Sequence, residues 1–169
     1  MRVLKALPVM MMLAAGWSCA NAAADFTTIR RTQTNLDDVT PRLLINFTLP
    51  ASVNTSSSTA NSAVLDLEAL GPEFNFNEVY VNPPTTVCTA NNTDANQTAS
   101  IGMLQEHDDT NLKTEWSSNH FAFSSGLLVT GTNQLMVCIR SETGGAGSGV
   151  GNLDNVSLRS VVLHYHTSP

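Results

Sequence analysis

Few side chains in this 169-residue chain are of the kinds that do chemistry, and they gather in three places. Glu106, Asp108 and Asp109, with Asn111 close behind, put several oxygen donors into one short segment, the hard-ligand set that suits Ca²⁺. Their spacing matches no defined calcium loop and Lys113 stands beside them, so a solvated acidic loop is the simpler account. His164 and His166 are two apart, hence on one face if the segment is a strand, and such a pair is half of a zinc site. No third or fourth ligand suggests itself, and two water-facing histidines on an ordinary last strand, with Leu163 and Tyr165 turned to the core, are the simpler account.

Trp116 marks the third place. It precedes Ser117, Ser118, Asn119 and His120, so an aromatic ring stands next to hydroxyl, amide and imidazole groups. A sugar ring stacks its C–H groups on such a π face while polar neighbours fix its orientation. Trp116, Asn119 and His120 are therefore the candidate ligand contacts. The competing reading is a Trp buried at the start of a strand. No platform of several aromatics is available, because Tyr80 and Tyr165 fall on strands that look like core.

Catalytic patterns are absent. Gly147-Ser148-Gly149 lacks the glycines two residues to either side of the Ser that a nucleophile elbow needs. Gly144 to Gly151 is glycine-rich, but no helix start follows it, so it cannot aim the row of N–H donors that cradles a phosphate. No Ser/His/Asp order and no metalloprotease motif is present. The chain is read as a non-enzyme.

The elements that must position these residues come next. Arg2 and Lys5, an apolar run from Ala6 to about Gly16, and then small residues form the three parts of a secretory signal. The run is well short of the roughly 20 residues a membrane-crossing helix needs, and no second apolar stretch suggests a span. Residues 1–24 are read as the signal, cut after Ala22 or Ala24, and 25–169 as one domain in a secreted or periplasmic protein. A lipoprotein signal acylated on Cys19 is the alternative, which Trp17 disfavours by its bulk.

Loss of Arg2 and Lys5 leaves six basic residues against 14 acidic ones and moves the net charge from −6 to −8. Such a field repels phosphate, which argues against nucleic acid as a partner. Charged residues make up 13% of the chain, about half the usual share, so hydroxyls and amides do the solvating. With Cys19 gone, Cys88 and Cys138 remain, and an even count in an oxidising compartment favours a disulfide between them.

Short runs rich in β-branched and aromatic residues alternate with Asn, Gly, Pro and Ser clusters, the pattern of a β-sandwich. Strands are expected at Thr27–Thr32, Arg42–Leu49, Ala63–Leu70, Glu78–Asn82, Ser100–Leu104, His120–Phe123, Gln134–Arg140 and Val156–His166. Ser52 to Ser62 reads as a surface loop without apolar anchors.

Two segments together resemble a known family. Asn77-Glu78-Val79-Tyr80-Val81-Asn82 is similar to the Asn-ended strand of galactose-binding-like jelly rolls, including the sugar-binding domains of family 2 glycoside hydrolases and related carbohydrate-binding modules. Gly126-Leu127-Leu128, then Gly131-Thr132-Asn133-Gln134-Leu135, resembles the turn and strand that close the same sandwich. Leu153-Asp154-Asn155-Val156-x-Leu158 with Val161-Val162-Leu163-x-Tyr165 looks like its returning last strand. Pro83-Pro84 replaces the usual Gly, and Thr85 to Thr98 reads as an insertion.

The resemblance implies an all-β, two-sheet antiparallel β-sandwich of jelly-roll type. It also implies a non-catalytic role, binding a carbohydrate or glycan-like ligand through loops around Asp108 to His120 and Gly144 to Gly151. No cofactor is expected apart from a structural calcium of the kind such domains carry, for which Glu106, Asp108 and Asp109 are the candidates. The alternative is a structural or adhesive surface protein whose partner is another exported protein.

Overall fold

Strict alternation in Ser62–Leu70 buries Ala63, Leu65, Leu67 and Ala69 and leaves Val64, Asp66, Glu68 and Leu70 on the other face. Arg42–Leu49 likewise buries Leu43, Phe47 and Leu49, with Ile45 packed against them. A period of two can bury one whole face only if a second layer covers it, and here that layer is a second sheet.

The computed structural model describes residues 23–57, 62–73, 77–88, 96–105, 114–141, 145–147 and 151–168. Among these the strands are β1 (Ala23–Arg30), β2 (Thr34–Leu36), β3 (Arg42–Leu49), β4 (Ser62–Leu70), β5 (Glu78–Val81), β6 (Ser100–Met103), β7 (Trp116–Ser124), β8 (Gly131–Cys138) and β9 (Val156–Thr167). One sheet has the order β1-β9-β4-β7, with the short β2 also on β9, and the other the order β3-β8-β5-β6. All pairings are antiparallel. From β3 onward the chain passes from sheet to sheet, staying within one only at β5–β6, which is the strand order of a jelly roll.

Every expected strand is present, with ends shifted by a few residues. β2 was not foreseen; its three residues carry too little pattern to read. β7 runs four residues earlier than expected, because Trp116 to Asn119 pair in register with Leu67 to Leu70 despite their polar composition. β1 starts at Ala23, where Ala23 lies opposite Thr167. A cut after Ala22 leaves that strand whole, whereas a cut after Ala24 removes its first two residues.

The loop after β3 corrects the expectation of no apolar anchor. Val53 is buried and bridges to Thr167, while the Asn54 N–H donates to the His166 carbonyl at 2.8 Å. Tertiary contact with the last strand supplies what the local sequence did not advertise.

The turn before β8 is built by the segment that carries the resemblance. Leu128 is buried and Leu127 packs against the core, and Gly131 takes φ 83°, which favours glycine. Asn133 accepts from the Val129 N–H at 2.9 Å and donates to the Val129 and Gly131 carbonyls at 2.7 and 3.0 Å.

The other side of the four-stranded sheet is covered too. Tyr80, Met136 and Cys138 alternate away from the main core, yet they are buried with Cys88 and Ala146 in a second small cluster. Cys88 and Cys138 form a disulfide with Cα atoms 5.9 Å apart, which ties the end of β8 to Cys88. In the chain-entropy picture, closing a loop of this length stabilises by about 4 kcal/mol.

Under this cover lies an ionic network. Arg140 donates to Glu78, Tyr80 donates to the same carboxylate, and Arg140 reaches the Tyr80 oxygen at 3.1 Å. All three are essentially without exposure. Two charges can be kept so deep only because each satisfies the other.

Candidate binding face

Strand register brings several connections to one end of the sandwich. Trp116 lies opposite Leu70, Leu70 opposite Ser157, and Ser157 opposite Asn35. β2, β4, β6 and β8 therefore end, and β3, β5, β7 and β9 begin, at this end of the sheets. The described residues that flank the two loops expected to hold ligand, Leu104 and Trp116 on one side and Ile139 and Val156 on the other, stand at this end, while Asp108 and most of Gly144 to Gly151 lie outside the described residues.

Alternation along β7 divides the predicted contacts. Trp116 and His120 lie on the solvent face of the five-stranded sheet, with Ser118 between them. Asn119 lies on the opposite, core-facing side and is buried, which corrects its grouping with the other two. Its carbonyl accepts from the Gln105 N–H at 2.7 Å and its amide lies 3.4 Å from the Ser117 carbonyl. Asn119 thus ties the end of β6 to β7. Residues an even number apart share a strand face, and residues 116 and 119 cannot.

Trp116 is half-buried on this outer face. The Arg159 guanidinium sits over its ring at 3.8 Å from the centroid, a cation–π contact. Arg159 is in turn held by Glu68, Nε to Oε2 at 2.7 Å, and this hydrogen bond, with one from Ser160, keeps the Glu68 carboxyl below its usual pKa. Ser160 has φ 54° where the β4–β9 register shifts, and the bulge lets Arg159 face Glu68 directly. Neighbouring polar groups continue the row: Ser157 donates to Asn35 at 2.8 Å, and the Gln33 amide donates to Asn35 at 2.9 Å.

Sequence reading missed a second group on the same face. Asp66 lies between two histidines, with Oδ1 2.7 Å from His120 Nδ1 and Oδ2 3.0 Å from His164 Nε2. Phe26, 63% exposed, stands beside His164 with ring centroids 6.2 Å apart. His120 is 54 residues from Asp66 in sequence, and only strand pairing makes them neighbours.

The histidine pair resolves as two strand-face residues. Leu163 and Tyr165 are buried on the opposite, core-facing side of the strand, His164 is exposed, and His166 is partly covered. Among the described residues, no group of three or more His, Cys, Asp or Glu side chains is arranged to hold a metal ion. The calcium candidates Glu106, Asp108 and Asp109 lie outside the described residues.

A depression of about 420 Å³ lies beside the disulfide, between Val39–Arg42, Val87–Cys88 and Gly147. Its one charged side chain among the described residues, Arg42, donates to the Thr86 carbonyl. No helix among the described residues is long and apolar enough to cross a membrane.

No protein-family model matches the chain, and no curated protein matches it. Among solved structures it is similar to the K1 cleaved adhesin domain of Lys-gingipain from Porphyromonas gingivalis W83, with 7% identity and a TM-score of 0.33. The match covers 83% of this chain and 97% of that one, and at that level of superposition it bears on neither site nor ligand.

Proposed function

We propose that the chain is an exported, non-catalytic binding domain for a carbohydrate, with its contact surface centred on Trp116 at one end of the five-stranded sheet. The observation that carries this reading is the fixed ring of Trp116 on a solvent-facing strand, held at 3.8 Å by Arg159, which Glu68 locks in place. One face of the ring is taken by the guanidinium, so a sugar stacks on the other. A pre-set platform of this kind lowers the ordering cost of binding.

The flanking groups suit a polyhydroxylated ligand. Ser118, Ser157, Asn35 and Gln33 supply hydroxyls and amides, which both donate and accept. The Cys88–Cys138 disulfide is compatible with the oxidising, exported setting that the expected secretory signal implies, and both support this reading.

A glycan-array screen of the oxidised, processed protein beside Trp116→Ala tests the reading. Selective binding that the variant loses supports it. An array without any selective signal transfers the assignment to an adhesive protein that contacts other exported proteins.

A further inference from the structure

We infer that the ligand is an extended, uncharged oligosaccharide, and that Phe26, Asp66, His120 and His164 form its second subsite, far from Trp116. The inference rests on the carbohydrate reading above and goes on to name the length and charge of the ligand.

The register sets the distance. Phe26 lies opposite His164, His164 opposite Val64, and Val64 opposite Ala122. Phe26 is therefore level with a residue six positions beyond Trp116 on β7 and three strands away. At about 3.3 Å per residue and 4.8 Å per strand, the two aromatic side chains stand roughly 25 Å apart on one face. No single sugar spans that distance, while an extended chain lying diagonally across the strands does.

The groups between the two aromatics are of the right chemistry. Each histidine donates one ring N–H to the Asp66 carboxylate, which only accepts, and in the neutral ring its other nitrogen is left to accept from a ligand hydroxyl. Asp66 binds a histidine on each oxygen and has accepting capacity left for hydroxyl donors. Phe26 adds an exposed apolar ring at the far corner, where its 63% exposure has no role in the core.

Charge decides against an acidic glycan. Glu68 and Arg159 neutralise each other, Asp66 adds a negative charge between imidazoles, and the whole chain carries −6. An anionic polymer would be repelled, whereas uncharged hydroxyls meet a face whose strong charges are already paired.

The test is calorimetric titration of the processed protein with cello-, xylo-, manno- and galacto-oligosaccharides from disaccharide to hexasaccharide, with heparin as the anionic comparison. The expected result is affinity that rises about tenfold or more with length for one neutral series, and none for heparin. Phe26→Ala and Asp66→Asn, both at solvent-facing positions and checked for folding by circular dichroism, should weaken hexasaccharide binding about five- to tenfold. Their disaccharide affinity should stay within about twofold, while Trp116→Ala loses both. Length-independent binding, or hexasaccharide binding untouched by Phe26→Ala and Asp66→Asn, overturns the second subsite and leaves the Trp116 reading intact. Heparin binding overturns the uncharged ligand, and failure of every sugar overturns both readings.

Discussion

Asn82 and Asn133, 51 residues apart in sequence, meet side chain to side chain, with the Asn82 amide donating to the Asn133 carbonyl oxygen at 2.8 Å. The same amide donates to the Leu127 carbonyl at 2.8 Å, and the Asn82 carbonyl accepts from the Gln134 N–H at 2.7 Å. One carboxamide pair thereby ties the end of β5 to the turn that starts β8. Asn82 stands at φ 50°, a conformation that Asn tolerates better than most residues.

Asn133→Ala should destabilise the fold by about 2–4 kcal/mol, because it strands buried partners on Val129, Gly131 and Asn82. Asn82→Gly separates backbone from side chain: glycine accepts the positive φ freely but makes none of the side-chain bonds. A loss of at least about 1 kcal/mol in urea unfolding is expected for it. A variant as stable as the parent would assign the role of Asn82 to its backbone alone.

The buried network beneath the disulfide should respond asymmetrically. Arg140→Met leaves Glu78 charged and enclosed, and a loss of about 3–5 kcal/mol is expected. The double variant Glu78→Gln/Arg140→Met removes both charges and should recover most of that loss. A double-mutant cycle by chemical denaturation measures the coupling directly.

Both tyrosines should titrate late. Burial pushes the Tyr80 hydroxyl well above its ordinary value near 10, aided by its hydrogen bond to Glu78, and burial followed by Asp25 raises Tyr165. A raised folded-state pKa means that the native protein holds these protons more tightly than the unfolded chain. The resulting stability is complete below pH about 10 and is lost as pH rises beyond it. Absorbance at 295 nm should stay flat past pH 10 and then rise together with the loss of native circular dichroism. Ordinary tyrosinate formation in a still-folded protein would contradict this.

Gly102→Ala should be costly although the position lies in a short strand. Gly102 has φ 149°, and an added Cβ would lie 2.6 Å from Cδ1 of the Phe121 ring. Phe121 is buried on β7, so the clash presses on the core. A loss of about 1–3 kcal/mol is expected by thermal or urea unfolding.

Legibility in the sequence followed local periodicity. Arg42–Leu49 was read to the residue because four apolar side chains alternate there without interruption. The start of β7 was missed because Trp116-Ser117-Ser118-Asn119 has no apolar alternation, and its strand character comes from pairing with β4. The proposed ligand patch was half legible: Trp116 and His120 share a face, but Asn119 does not, since adjacency in the chain ignores which side of a strand each residue takes. Asp66 and Phe26 carried no signal and His164 stood out only as half of a metal pair, as nothing local distinguishes a solvent-facing Asp from one poised between two histidines.

The amino-acid sequence by itself determined the all-β class, the approximate positions of the longer strands and the pairing of the two cysteines, because each depends on short-range pattern or on simple counting. Tertiary structure alone decided which outward side chains became neighbours. His164 with Asp66 and His120, Arg159 over Trp116, and Asn82 with Asn133 are joined across strands far apart in the chain. Their contact depends on sheet order and register, which the burial of all the inner faces together sets, and no single segment encodes it.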